Sequence, residues 1–265
     1  MLVLIIESIK NQESKGENML RKLRYLFFGA LTGMTLIGGC AKQEPEKMPE
    51  APAEKEEEKI PADPQLDRRI DWESLWNQNK DIVAWISIPQ TTVDFPVLQS
   101  QDEKDDYYYL ERNLDKEPDI FGSLFIEKFQ QKSFDDPVTI MYGHTSFIET
   151  PAGKEMFSDL HKYEDAQYLT DHPALYIYTP EKAMKYEIFC SSVFDDRYIP
   201  GEYEFSDPEE VKKFISDLES AGQHNVNETI TLPEDGKYLI LSTCMGVGSS
   251  QRLIVASVLQ ETKEL

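Results

Sequence analysis

The sequence predicts a mainly β domain, a closed barrel or sandwich with a few inserted helices. Three observations carry this. Short runs rich in Val, Ile, Tyr, Phe and Thr recur along the chain, bounded by Pro, Gly or Asp. Helical spacing interrupts them at only a few places. The stretch from Leu66 to the end, roughly 200 residues, is enough for one domain with its own core.

In chain order, Asp67–Asn79 places Ile70, Trp72, Leu75 and Trp76 near helical spacing, which predicts a helix packed on the domain. Strands are expected at Ile82–Pro89, Val93–Gln99, Gly122–Glu127, Pro137–His144, Ala174–Thr179, Lys185–Asp195, Glu228–Leu232, Lys237–Cys244 and Arg252–Glu261. Helical interruptions are expected at Asp105–Glu111, Lys154–His161 and Asp207–Ala221. The last has acidic residues in its first turn, which suit the positive end of a helix, and Val211, Phe214, Ile215 and Leu218 on one face.

Composition narrows the function. The 265 residues hold 27 Lys plus Arg against 49 Asp plus Glu, a net charge of -22. A nucleic-acid binder needs a basic face to displace counterions from phosphate, so the charge argues against that class. Three Cys and four His cannot staple a small scaffold and leave little for a multi-ligand metal site. There is no glycine-rich phosphate loop, and no metal or cofactor is expected.

The first 40 residues look like an export segment. Arg21, Lys22 and Arg24 precede an apolar run from Tyr25 to Gly39 that ends at Cys40. A charged stretch followed by a short apolar one is the pattern of a signal segment, and the run falls short of the roughly 20 residues a spanning helix needs. Ile37-Gly38-Gly39-Cys40 resembles a bacterial lipobox, in which Cys40 would be lipidated; the alternative is an uncleaved anchor helix. Met19 is the better start for such a segment. Residues 41–65 are mostly Glu, Lys, Pro and Ala. Such a stretch buries too little to offset chain entropy, so a disordered acidic tether is expected.

Three strand ends hold the candidate chemistry. One strand ends at Gly143-His144, another at Ser242-Thr243-Cys244, and a third starts at Arg252. If the last two strands form a hairpin, Cys244 and Arg252 share one rim. Alternation puts Cys244 with Ser242 and Ile240, and Arg252 with Ile254 and Ala256; whether these faces coincide is left open. A thiolate is a strong nucleophile that needs an acid/base partner to release an amine, and a guanidinium stays charged and can stabilise an oxyanion. Cys190, in mid-strand, reads as core. His161 and His172 read as structural, His224 as exposed, and the Tyr107–Tyr109 run as packing.

These residues resemble the sortase family. Leu241-Ser242-Thr243-Cys244 followed by Arg252 is similar to its Thr/Ser-Cys signature with a downstream Arg, and Tyr142-Gly143-His144 to its histidine motif. Tyr107–Leu110, Phe121–Phe125, Met156–Tyr163 and His172–Pro180 fall in the order of class B, as does a helix inserted before the strand that leads to the Cys. The resemblance covers Leu66 to Leu259. It implies an eight-stranded sortase β-barrel with N-terminal helices, held at the extracellular face of a Gram-positive-type membrane. It also implies a cysteine transpeptidase that cleaves an NPxTx-like C-terminal sorting motif at Thr. The acyl group would pass to a cell-wall or pilin amine. By match, Cys244 is the nucleophile, His144 the general acid/base and Arg252 the oxyanion or substrate-positioning group, with Ser242 and Thr243 beside the substrate. Met245 stands where some class B enzymes have an acidic residue, so no carboxylate partner for His144 is identifiable. The alternatives are an extracellular cysteine peptidase, which usually places the Cys before the His, and a non-catalytic surface lipoprotein.

Overall fold

The computed structural model describes residues 62–102, 105–146, 156–221, 223–246 and 248–265. They belong to one compact unit, Lys59–Leu265. The basic cluster, the apolar run and Cys40 lie outside the described residues, as does nearly all of the acidic stretch.

The strands are β1 (Ile82–Ser87), β2 (Asp94–Leu98), β3 (Leu124–Ile126), β4 (Val138–Tyr142), β5 (Ala174–Tyr178), β6 (Lys182–Asp195), β7 (Gln223–Val226), β8 (Tyr238–Cys244) and β9 (Gln251–Glu264). Their order is β5-β1-β2-β3-β4-β8-β9-β6-β7, and β5 also pairs with β6. That extra pairing closes eight strands into a barrel. β6 is long enough to pair with β5 along its first half and with β7 along its second, so β7 sits outside the closed ring.

Alternation along the strands makes two cores. Leu239 and Leu241 of β8 and Leu253 and Val255 of β9 point into the barrel with Ile86, Met141, Ile177 and Ile188. Ile240, Ile254 and Ala256 point outward and meet a helix, α4 (Pro208–Glu219). Asp207 caps that helix by accepting from the Glu209 N–H, and Pro208 opens it without wasting a donor. Val211, Phe214, Ile215 and Leu218 bury its apolar face, each contributing roughly 1.5–3 kcal/mol of transfer free energy.

Several local expectations are corrected. The strand expected at Glu228–Leu232 is absent, and β7 lies just before it. Asn227 is buried and its side-chain oxygen accepts from both Thr229 N–H and Thr229 Oγ1, which bends the chain out of an extended path. Ile230 and Leu232 still pack on the outer core, which is why their pattern read as a strand. The expected helix over Asp67–Asn79 is split. A 3-10 turn covers Pro64–Asp67 and a helix, α1 (Trp72–Gln78), starts only where Asp71 caps Ser74 N–H. Asp105–Glu111 becomes a 3-10 turn at Tyr108–Glu111; of Lys154–His161 the first two residues lie outside the described residues, and the rest leads into a 3-10 turn at Ser158–Glu164. Two short helices were unforeseen, α2 (Ala166–Asp171) and α3 (Ile199–Glu202). Asp63, placed in the tether by composition, accepts from Tyr176 and pairs with Lys185 of the folded unit.

Candidate active site

β4 and β8 run parallel, with Tyr142 opposite Ser242, and the Gly143 N–H donates to the Ser242 carbonyl at 3.2 Å, extending the ladder past the end of β4. β8 and β9 run antiparallel, with Cys244 opposite Arg252 and Ser242 opposite Ile254. The two faces left open by the sequence therefore coincide. Cys244 and Arg252 face each other on β8 and β9, His144 lies two residues past the end of neighbouring β4, and the parity of Ile140, Ile240 and Ile254 puts all three on the outer side of the barrel. All three line a cavity of about 230 Å³, whose other walls include Tyr107, Tyr142 and Tyr198. Cys244 is half-buried and free.

Each side chain is held locally. The His144 Nε2–H donates to the Leu110 carbonyl at 2.8 Å. A carbonyl only accepts, so the proton sits on Nε2 and Nδ1 is left as the acceptor. This backbone carbonyl fills the role for which no carboxylate was identifiable. The Arg252 guanidinium donates to the Ser249 and Gln251 carbonyls, each at 3.1 Å, and forms no ion pair with a carboxylate among the described residues. His161, read as structural, braces the Cys244 backbone. Its Nε2–H donates to the Cys244 carbonyl at 3.2 Å while Nδ1 lies 2.5 Å from Glu164 Oε1.

Ser242 and Thr243 border the cavity, both buried. The Thr243 hydroxyl has no hydrogen-bond partner among the described residues. Cys190 is buried and free, 3.1 Å from Ser192 Oγ, and burial pushes its thiol up to about 11, which keeps it a poor nucleophile at neutral pH. A recess of about 390 Å³ under α4, lined by Phe205, Ile215 and Leu232 among others, holds no Cys or His.

The sequence reading missed the contributions of Glu127, Tyr198 and the Leu110 carbonyl, and it took Tyr107 for packing. Tyr109 does pack, with its hydroxyl on Asp81, but Tyr107 lines the cavity. One signal was available: Glu127 ends the apolar run Ser123–Ile126, and a carboxylate placed there is buried with the strand. Among the described residues no cluster of His, Cys, Asp and Glu has the arrangement of a metal site.

A nucleophile-capable thiol, a tautomer-fixed imidazole and an unpaired guanidinium on one rim of a closed β-barrel define a thiol acyl-transfer protein. The family model for the sortase domain matches residues 86–260. Sortase B of Listeria monocytogenes is 31% identical over 178 residues, covering 66% of this chain and 68% of the relative. Sortase B of Staphylococcus aureus is 27% identical over 195 residues, covering 71% and 74%. Among solved structures, Clostridium perfringens sortase B superposes with a TM-score of 0.61 at 24% identity, over 72% of this chain and 100% of that one. A Staphylococcus aureus sortase B–substrate complex gives 0.60 at 22% identity, over 71% and 84%. The chain belongs to the sortase family of cysteine transpeptidases, in class B.

Proposed function

We propose that this sortase cleaves an NPxTx-like C-terminal sorting motif of a surface protein and transfers the acyl group to a cell-wall or pilin amine. Cys244 Sγ gives its proton to His144 and attacks the Thr carbonyl carbon. The oxyanion that forms accepts hydrogen bonds from the Arg252 guanidinium. The C–N bond breaks, the leaving amine takes the proton from His144, and a thioester remains on Cys244. An acceptor amine then attacks the thioester and yields a proton to His144, and the thiol is regenerated as the new amide departs. The enzyme works at the extracellular face of the membrane, held by lipidated Cys40 or by an uncleaved anchor helix.

The observation that carries this reading is the meeting of His144, Cys244 and Arg252, at the ends of three neighbouring strands, around one cavity. The test is incubation of the protein with a library of sorting-motif peptides and several amines, read by mass for an acyl adduct on Cys244. Product formation should depend on added amine and should vanish in Cys244→Ala. Cleavage indifferent to amine would make the protein a peptidase instead, and a Cys244→Ala protein that behaves as wild type would make it a non-catalytic binder.

A further inference from the structure

Glu127, one residue past β3, is only 2% exposed, yet it lies behind the wall of the candidate active site. Its Oε2 accepts from the Tyr142 hydroxyl at 3.0 Å and its Oε1 from the Tyr198 hydroxyl at 3.1 Å. Burial, and then the Glu127 charge, push the Tyr107 hydroxyl up, so Tyr107 stands within electrostatic reach of the same carboxylate. All three tyrosines line the cavity that holds Cys244, His144 and Arg252.

They come from separate parts of the chain. Tyr107 precedes the 3-10 turn whose Leu110 carbonyl accepts from the His144 Nε2–H. Tyr142 ends β4, two residues before His144. Tyr198 sits in the connection between β6 and α3. One carboxylate thus bonds two walls of a single cavity, and ring contact with Tyr142 joins Tyr107 to them. The rings support each other: Phe125 stacks on Tyr142 at 5.4 Å between centroids, and Tyr107 meets both edge-on at 6.0 and 6.2 Å. Tyr107 and Tyr198 nevertheless remain 42% and 49% exposed, large apolar surfaces at the cavity rim.

We propose that Glu127 is a positioning residue for substrate: it holds Tyr107, Tyr142 and Tyr198 as an aromatic wall on which the acyl-side segment of the peptide packs. The proposal rests on the transpeptidase reading above and extends it to how the peptide is gripped. Because the Tyr142 and Tyr198 hydroxyls are committed to the carboxylate, the wall offers mainly ring surface rather than free donors. It favours peptides with apolar or flat groups next to the scissile residue over ones that require a hydrogen-bond donor. Burial outweighs the tyrosine hydroxyls and leaves the Glu127 carboxyl raised above its ordinary value. A neutral amide is therefore tolerated at this position, but it has one acceptor oxygen where the carboxylate has two.

The test is Glu127→Gln in the full chain, assayed with the best peptide found for the wild type. KM should rise about tenfold while kcat stays within about twofold, since the lost bonds position substrate and do not touch the reacting atoms. The rate of Cys244 alkylation by iodoacetamide should stay at the wild-type value. Tyr198→Phe, which keeps the ring and removes one hydroxyl, should raise KM by about threefold. An unchanged KM in Glu127→Gln, with the wild type active, overturns the proposal alone. So does a fall in kcat with slower alkylation, which would place Glu127 on the nucleophile instead. A wild type with no amine-dependent activity on any peptide overturns the transpeptidase reading and this proposal with it.

Discussion

The His144 Nε2–H donates a hydrogen bond to the carbonyl of Leu110, 34 residues upstream, at 2.8 Å. The imidazole is oriented by backbone rather than by an acidic side chain. The carbonyl belongs to the 3-10 turn Tyr108–Glu111, so the ring and that turn are fixed together.

That bond separates two roles of the same ring. A His144→Gln variant can keep a donor near the Nε2 position but exchanges no proton; His144→Ala keeps neither. Both should lower kcat/KM for a sorting peptide by about 10²–10⁴-fold, the usual worth of general acid/base catalysis. His144→Gln should melt near the wild type, whereas His144→Ala should lose about 1 kcal/mol with the hydrogen bond. Paired activity and thermal-melt measurements check this. A His144→Gln protein with near-normal turnover would remove His144 from the reaction.

The Arg252 guanidinium is held by two carbonyls, lines the cavity and forms no ion pair among the described residues. Arg252→Ala should lower kcat by about 10²–10³-fold, the cost of losing an oxyanion donor. Arg252→Lys should recover only part of this, because an ammonium supplies charge without the planar fork. Steady-state kinetics on both variants is the check. A rise in KM with kcat intact would assign Arg252 to substrate positioning rather than to the oxyanion.

Much of the fold was legible because burial on both faces of β4, β8 and β9 leaves long apolar runs that few other structures accommodate. Helix α4 was legible for the opposite reason, since Val211, Phe214, Ile215 and Leu218 mark one buried stripe against a charged face. Residues 228–232 misled because Ile230 and Leu232 are half-buried without being in a strand; the Asn227 side chain decides the backbone there, and apolar spacing does not report it. At the site, Cys244, His144 and Arg252 could be named from strand ends and motif, but their shared face depends on register, which a single strand does not encode. Glu127 and the Leu110 carbonyl stayed hidden because their partners lie 15 to 71 residues away along the chain.

Asp135 predicts where acid stability is lost. Its Oδ1 accepts from Lys237 at 2.6 Å and Lys182 at 2.9 Å, tying its loop to the residue before β8 and to the start of β6. These two ammonium groups, Lys237 foremost, hold its carboxyl well below the usual carboxylate range. A depressed folded pKa stabilises the protein above the unfolded value near 3.9, and that contribution fades as pH falls from there through the folded value. The pair is partly exposed, so solvent screening limits it to about 1 kcal/mol or less. Asp135→Asn should melt below the wild type at pH 6, and the gap should close as pH falls below about 4. Melting curves taken from pH 6 down to about pH 2 decide it; a gap that stays constant down to the acid end would mean that the ion pairs contribute nothing.

Gly143 gives the histidine motif a steric reason. A Cβ there would collide with Leu124 Cδ2 and lie 2.8 Å from Phe157 Cδ2. Both neighbours are fully buried in the barrel core, so neither can yield without disturbing its own packing. The backbone must move instead, and the bond from the Gly143 N–H to the Ser242 carbonyl, which keeps His144 level with Cys244, would go with it. Gly143→Ala should therefore destabilise the protein by about 1–3 kcal/mol, as overpacking does. It should also cut kcat by about 10²-fold or more, because displacing a catalytic group by about 1 Å carries that cost. Activity measured well below the melting temperature separates the two effects. A Gly143→Ala protein that is folded and fully active there would show that the register of β4 against β8 does not govern the site.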